Sequence, residues 1–168
     1  LGDVYKRQLL ALDNGLYLEC IAVDPKAIKP NHPRWFNLDN FFGKPRLSNW
    51  VCSSEELKID LAKMQVILGQ VIEVSSGDYS LSITVPENGI LPFDGCFPAL
   101  IKWPSIQKHP LVKLPPSGLS LDSLTIYHPD ASKLQDLLRS LSDERVRFRV
   151  RSYSGFSAHF SNSLGQET

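Results

Sequence analysis

The sequence predicts an α+β domain. Two observations carry that prediction. Short runs alternate apolar and polar residues with the two-residue period of a half-buried strand, while two longer runs space leucines at helical intervals. The order strand–helix–strand–strand also occurs twice, opening at residues 47 and 121. Helices laid on one face of mostly antiparallel strands give this class, and 168 residues suffice for a real core.

The first clear strand is Leu16–Val23 (LYLECIAV), apolar on both faces and preceded by the turn sequence Asp13-Asn14-Gly15. Residues 1–8 (LGDVYKRQ) show neither strand alternation nor helical period. They resemble adapter-derived translation and are read as a non-native leader. Residues 24–46 contain Pro25, Pro30, Pro33 and Pro45 and read as a connector that packs through Trp35, Phe36, Phe41 and Phe42.

From residue 47 the pattern becomes regular. LSNWVC (47–52) alternates as a strand. Ser53 precedes Glu56 at capping-box spacing, and Leu57, Leu61, Met64 and Leu68 form one helical stripe that Gly69 should terminate. Strands follow at Val71–Val74, at Tyr79–Val85 after a Ser76-Gly77-Asp78 turn, and at Phe97–Trp103 (FPALIKW). Pro86-Glu87-Asn88-Gly89 closes the middle one. The second series has a strand at Leu121–Tyr127 and a helix from Pro129-Asp130 with the stripe Leu134, Leu137, Leu138, Leu141. Val146, Phe148 and Val150 then alternate with Arg147, Arg149 and Arg151, and a last strand runs over Phe156–Ser161.

Composition narrows the function classes. Lys+Arg and Asp+Glu are equal at 18 each. Zero net charge argues against a general nucleic-acid or anionic-membrane binder, so neither partner is expected. No run approaches the roughly 20 apolar residues of a membrane span. Cys20, Cys52 and Cys96 are odd in number and scattered, which fits reduced thiols in a cytoplasmic protein better than disulfides or a zinc site.

Three segments carry a family resemblance: LDNGLYLECIAVDP (12–25), PRWFNLD with PRLSNWVCSSEEL (33–39, 45–57), and ITVPENGILPFDGCFPALIKWP (83–104). In combination they resemble the glyoxalase-like domains of the vicinal oxygen chelate superfamily, and HPDASKLQDLL (128–138) looks like a trailing module of the same group. The resemblance implies βαβββ modules curving around a small-molecule pocket. Residues 9–46 would hold the last strand of a truncated first module and a linker, 47–104 a complete module, 105–120 a second linker and 121–168 a partial βαββ module. It also implies a divalent metal held by His or Glu on the first and fourth strands of each module, where Lewis-acid stabilisation of an oxyanion serves lyase, isomerase or dioxygenase chemistry.

Carried over residue by residue, the resemblance places Glu19 at the fourth-strand carboxylate of the first module. The sequence supports a special position for it, because a carboxylate flanked by Leu18 and Cys20 and sharing a face with Tyr17 and Ile21 is costly unless paired or metal-bound. The alternative is a carboxylate hydrogen-bonded at the sheet end. The matching first-strand histidine would lie upstream of Leu9. In the second module the two positions fall on Asn49, a neutral ligand poorly suited to zinc, and on Lys102, whose ammonium repels a metal. A metal-free pocket is therefore a live alternative, with Trp50 and Trp103 as wall or core and a Lys102–Glu19 ion pair across it. His32, His109 and His159 read as exposed, His128 as a turn cap, and no two histidines have ligand spacing. The arginine stripe reads as a solvated face or as a surface for an anionic ligand. Two function classes stay open: a metal-dependent enzyme, or a binding and sequestering protein. A bare edge on the Leu16–Val23 strand would invite chain–chain association, a homodimer among the outcomes.

Overall fold

A computed structural model describes residues 5–64, 66–76, 79–141 and 143–162. The chain opens with a hairpin of β1 (Tyr5–Leu12) and β2 (Leu16–Val23), paired from Tyr5↔Val23 to Leu12↔Leu16. Its turn is the expected Asp13-Asn14-Gly15, with Gly15 at φ +80°, a conformation only glycine adopts without strain. This corrects two expectations. Tyr5–Gln8 are strand residues, so residues 1–8 are not all outside the fold, and Leu16–Val23 is not a lone last strand. The polar YKRQ segment gains its strand conformation from its partner rather than from its own pattern, which is why periodicity missed it. Leu1–Val4 lie outside the described residues.

The connector packs less completely than expected. Residues Trp35–Asn40 form a 3-10 turn pinned by Arg34, whose backbone N–H and Nη1 donate to the two oxygens of Asp39 at 2.8 and 2.6 Å. Trp35 and Phe36 rest on the sheet that follows, but Phe42 is exposed and Phe41 lies under the Arg46 guanidinium, 4.1 Å from its ring centroid.

The second unit is β3 (Val51–Ser53), α1 (Leu57–Lys63), β4 (Gln70–Ser76), β5 (Tyr79–Val85) and β6 (Ala99–Lys102). Its sheet order is β3-β6-β5-β4, with β3 parallel to β6 and the other pairs antiparallel. The β-α-β-β-β order stands, with shorter ends. Residues 47–50 are not strand, and α1 stops at Lys63 because Met64 turns extended at φ −80°, ψ 132°. Two β-branched residues, Val66 and Ile67, follow Met64 and disfavour further helix. Leu68 still reaches the core. The expected Ser53–Glu56 capping box does not form; Ser54 Oγ bonds Asp60 Oδ2 at 2.7 Å instead. Gly69 is not a helix stop. At φ +80° it lies so close to β5 that an added Cβ would sit 2.0 Å from the Val85 carbonyl oxygen. The Gly77-Asp78 part of the expected turn lies outside the described residues.

The third unit is β7 (Leu119–His128), α2 (Ala131–Leu137), β8 (Val146–Val150) and β9 (Gly155–Asn162). Its elements follow the expected order, but its pairing is its own: the sheet runs β8-β7-β9, with β8 parallel to β7. In the second unit the β5–β6 pair separates the strands that flank the helix; here those strands are neighbours. The two units are thus alike in element order and different in strand order.

One hydrophobic core joins them. Leu57, Leu68, Cys96, Phe97 and Leu100 from the second unit pack with Ile126, Leu134 and Leu138 from the third, all nearly inaccessible. A second cluster covers the other face of the four-stranded sheet, with Leu81, Ile83, Leu91, Ala99 and Ile101 under Trp35, Phe36 and Trp103. The hairpin docks by its turn: Asp13 N–H donates to the Leu119 carbonyl at 2.7 Å, and Asn14 Nδ2 to the Leu121 carbonyl at 3.0 Å.

Candidate functional site

Pairing in β1–β2 puts Arg7, Leu9, Ala11, Tyr17, Glu19 and Ile21 on one face of the hairpin. Glu19 is half-buried there, 30% exposed, and its carboxylate faces Arg7 Nη1 at 3.9 Å. Burial pushes its pKa up, and the Arg7 charge opposes that shift without cancelling it. Tyr17 is pushed up to about 12, first by desolvation and then by the Glu19 charge. The Tyr17 ring meets His109 edge-on at 5.8 Å, and His109 meets Trp103 edge-on at 5.2 Å. These contacts tie the hairpin face to the end of β6.

His109 was expected to be exposed and is half-buried; desolvation lowers its pKa. Its Nδ1 accepts the Leu111 N–H at 3.3 Å, at the start of a 3-10 turn over Pro110–Val112. In the neutral ring the proton therefore sits on Nε2. Arg7, Tyr17, Glu19, His109 and Trp103 thus form one cluster in which an acid holds its proton longer than usual and a base gives it up sooner. Perturbed groups gathered this way make the cluster the candidate site.

The other sequence-predicted residues do not join this cluster. Extending the Val51↔Ala99 register sets Asn49 beside Phe97 and Lys102 beside Ser54, five residues apart, roughly 16 Å along the strands. Asn49 Nδ2 donates to Ser48 Oγ. Trp50 packs on the core shared by the two units and donates its Nε1–H to the Cys96 carbonyl at 2.8 Å. Lys102 pairs with Ser82, whose hydroxyl donates to Glu73 at 2.7 Å. Among the described residues Glu19 makes its ion pair with Arg7 and none with Lys102, so the expected Lys102–Glu19 pair is not formed.

The remaining histidines lie where the sequence put them. His32 and His159 are exposed. His128 is buried, accepts the Asp130 N–H on Nδ1 at 2.9 Å and turns Nε2 toward Asp94 Oδ2 at 3.6 Å. No group of three His, Cys, Asp or Glu side chains converges as a metal cage among the described residues. With a cation already beside Glu19, and Asn49 and Lys102 elsewhere, the donor set does not fit a divalent ion.

Enclosed volume and perturbed chemistry do not coincide. A cavity of about 200 Å³ is lined by His32, Pro33, Trp35, Gln70, Ile72 and Glu87 among others and touches none of the cluster. Its polar rim residues are ordinary exposed side chains, so the cluster, where groups are desolvated together, is the stronger candidate.

The glyoxalase-like domain family matches residues 6–142. The chain belongs to that family. This glyoxalase-like domain is therefore a member of the vicinal oxygen chelate superfamily, and the mixed sheet of its second unit has the βαβββ arrangement of such modules. Comparison with curated proteins and with solved structures gave no match. The match includes the hairpin, Glu19 and the whole second unit, and it ends before β8 and β9. No helix among the described residues is long and apolar enough to cross a membrane.

Sequence reasoning missed Arg7, Tyr17 and His109. Arg7 was set aside with the leader, and Tyr17 was taken as an apolar neighbour of Glu19. His109 lies in a loop whose approach to Trp103 only the tertiary fold creates.

Proposed function

We propose that this glyoxalase-like domain binds a small molecule against the inner face of the hairpin, with Glu19 as the polar recognition group and Tyr17, His109 and Trp103 as the aromatic wall. The desolvated Glu19 carboxyl, with its raised pKa, carries the proposal. A polar group held out of water gains most from a ligand that satisfies it. Near neutral pH it can accept N–H donors. The Nε2–H of His109 can donate. The ligand class is a flat ring bearing an amidine or similar N–H donor, bound on this face without a metal.

Benzamidine is a suitable probe. Its titration should shift the Trp103 indole resonance saturably, and Glu19→Gln should weaken binding by about tenfold or more, the range for losing a charge-assisted hydrogen bond. Equal binding by Glu19→Gln, or no saturation at millimolar probe, would remove the reading.

A second reading follows from the family match: metal-dependent lyase, isomerase or dioxygenase chemistry. It would need ligands beyond those the described residues bring to Glu19. Titration with Mn²⁺ separates the two. Stoichiometric micromolar binding lost in Glu19→Gln would favour the enzyme, and its absence the metal-free binding face.

A further inference from the structure

We propose that the outer face of the β8-β7-β9 sheet is a docking surface for single-stranded nucleic acid, independent of the Glu19 cluster. The inner face of this sheet is spent on the shared core, through Leu124, Ile126, Val146, Phe148 and Phe156. The outer face has the complementary residues of each strand. Register sets Thr125 beside Arg147 and Ser157, and Tyr127 beside Arg149 and Gly155. Arg147, Arg149 and Arg151 are all exposed. Arg147 and Arg149 stand two residues apart on β8, about 7 Å along the strand, and Arg151 follows just past its end.

Their charges are unneutralised: among the described residues, none of the three forms an ion pair with a carboxylate. The nearby acids are otherwise engaged or remote from the stripe. Asp143 is bound by Arg145 at 2.6 Å, Asp94 accepts from Ser154 Oγ at 2.8 Å, Asp122 accepts from Ser161 Oγ at 2.7 Å toward the other end of β9, and Glu144 precedes the strand. Aromatic surface stands beside the guanidinium groups. Tyr153 is 56% exposed and its ring lies 5.9 Å from that of Tyr127, over which the Arg151 guanidinium sits at 5.8 Å. Gly155, opposite Tyr127, brings no side chain of its own, and the Tyr153 ring lies over it, 3.9 Å from where a Cβ would stand. An uncovered sheet face with adjacent tyrosines and a row of arginines offers stacking for bases and a track for phosphates.

Zero net charge led to the expectation of no nucleic-acid partner. That balance describes the whole chain, whereas this face carries three arginines, which with Tyr153 lie beyond the residues that match the family. An acidic peptide adding a strand to the open edge of β8 is the rival occupant. The edge is partly blocked against it, because Arg149 and Arg151 each turn a guanidinium N–H back onto the preceding β8 carbonyl, Phe148 at 3.1 Å and Val150 at 3.0 Å. Such self-capping is how an edge strand refuses a partner strand.

The test is fluorescence anisotropy of a labelled twelve-residue oligothymidylate with the full chain, over a salt series. Three phosphate contacts predict a slope of log K against log salt of about −2, and Arg149→Gln should make it shallower by about 0.7. Tyr153→Ser, at an exposed site, should weaken binding about 5- to 100-fold with the slope unchanged, as loss of a stacked base does. Tyr127→Leu should act alike, with circular dichroism confirming the fold. No binding at 50 mM salt overturns the proposal. Binding indifferent to Tyr153 overturns it too, as adsorption of any polyanion, and so does equal competition by polyglutamate.

Discussion

Strands β2 and β8 both set charged residues between apolar ones, and the fold treats the two charges oppositely. On β2 the face holding Glu19 is covered by Tyr17, His109 and the end of β6, so the carboxylate is desolvated and its pKa rises. On β8 the face holding Arg147, Arg149 and Arg151 is open, and the guanidinium groups stay in water. Alternation tells which residues share a face. It does not tell whether another element will cover that face, and the chemistry of the charge depends on the cover.

The largest test of this contrast is in the core beneath β8. Phe97 is fully buried where the two units meet. Phe97→Ala should cost about 3–5 kcal/mol in urea unfolding, transfer and cavity terms together. A loss below about 1 kcal/mol would mean that the third sheet is not seated on the second unit, and its outer face would have no fixed side.

Next comes Glu19 itself. Its folded pKa lies above the ordinary value of 4.5, so in the folded state it binds its proton more tightly than in the unfolded chain. Stability is therefore lost as pH rises from about 4 through the folded pKa, and below the unfolded value the penalty is absent. Glu19→Gln should be more stable than the parent at pH 7, with the advantage fading below about pH 4. A variant less stable at pH 7 would show that the carboxylate is well paired rather than desolvated. Tyr17 should titrate by ultraviolet absorbance near its raised value of about 12, and a midpoint near 10 would place it in water. Smallest of all, Arg147→Gln should change stability by no more than about 0.5 kcal/mol, the range for an exposed substitution without partners. A larger loss would reveal a structural role for the stripe.

Where local pattern decides, the sequence was legible. The runs Leu16–Val23, Tyr79–Val85 and Val146–Val150 are strands at the predicted residues, and Leu134 and Leu138 are buried as their spacing required. Where distant partners decide, it was not. Tyr5–Gln8 become strand by pairing with β2, and the parallel β7–β8 contact follows from the lack of an intervening pair. Gly69 serves a close approach to Val85 that no helix pattern reveals. Of the candidate site, Glu19 and Trp103 could be named from the sequence, but His109, which joins the Tyr17 ring to Trp103, could not.

The central claim is that Glu19 is desolvated on the hairpin face, and its own titration tests that most directly. The carboxyl carbon of Glu19, followed by carbon-13 NMR across pH 3 to 8, should titrate above 4.5 in the parent and higher again in Arg7→Gln, where the lowering charge is gone. A midpoint at or below 4.5 in both proteins would put the carboxylate in solvent and contradict the account.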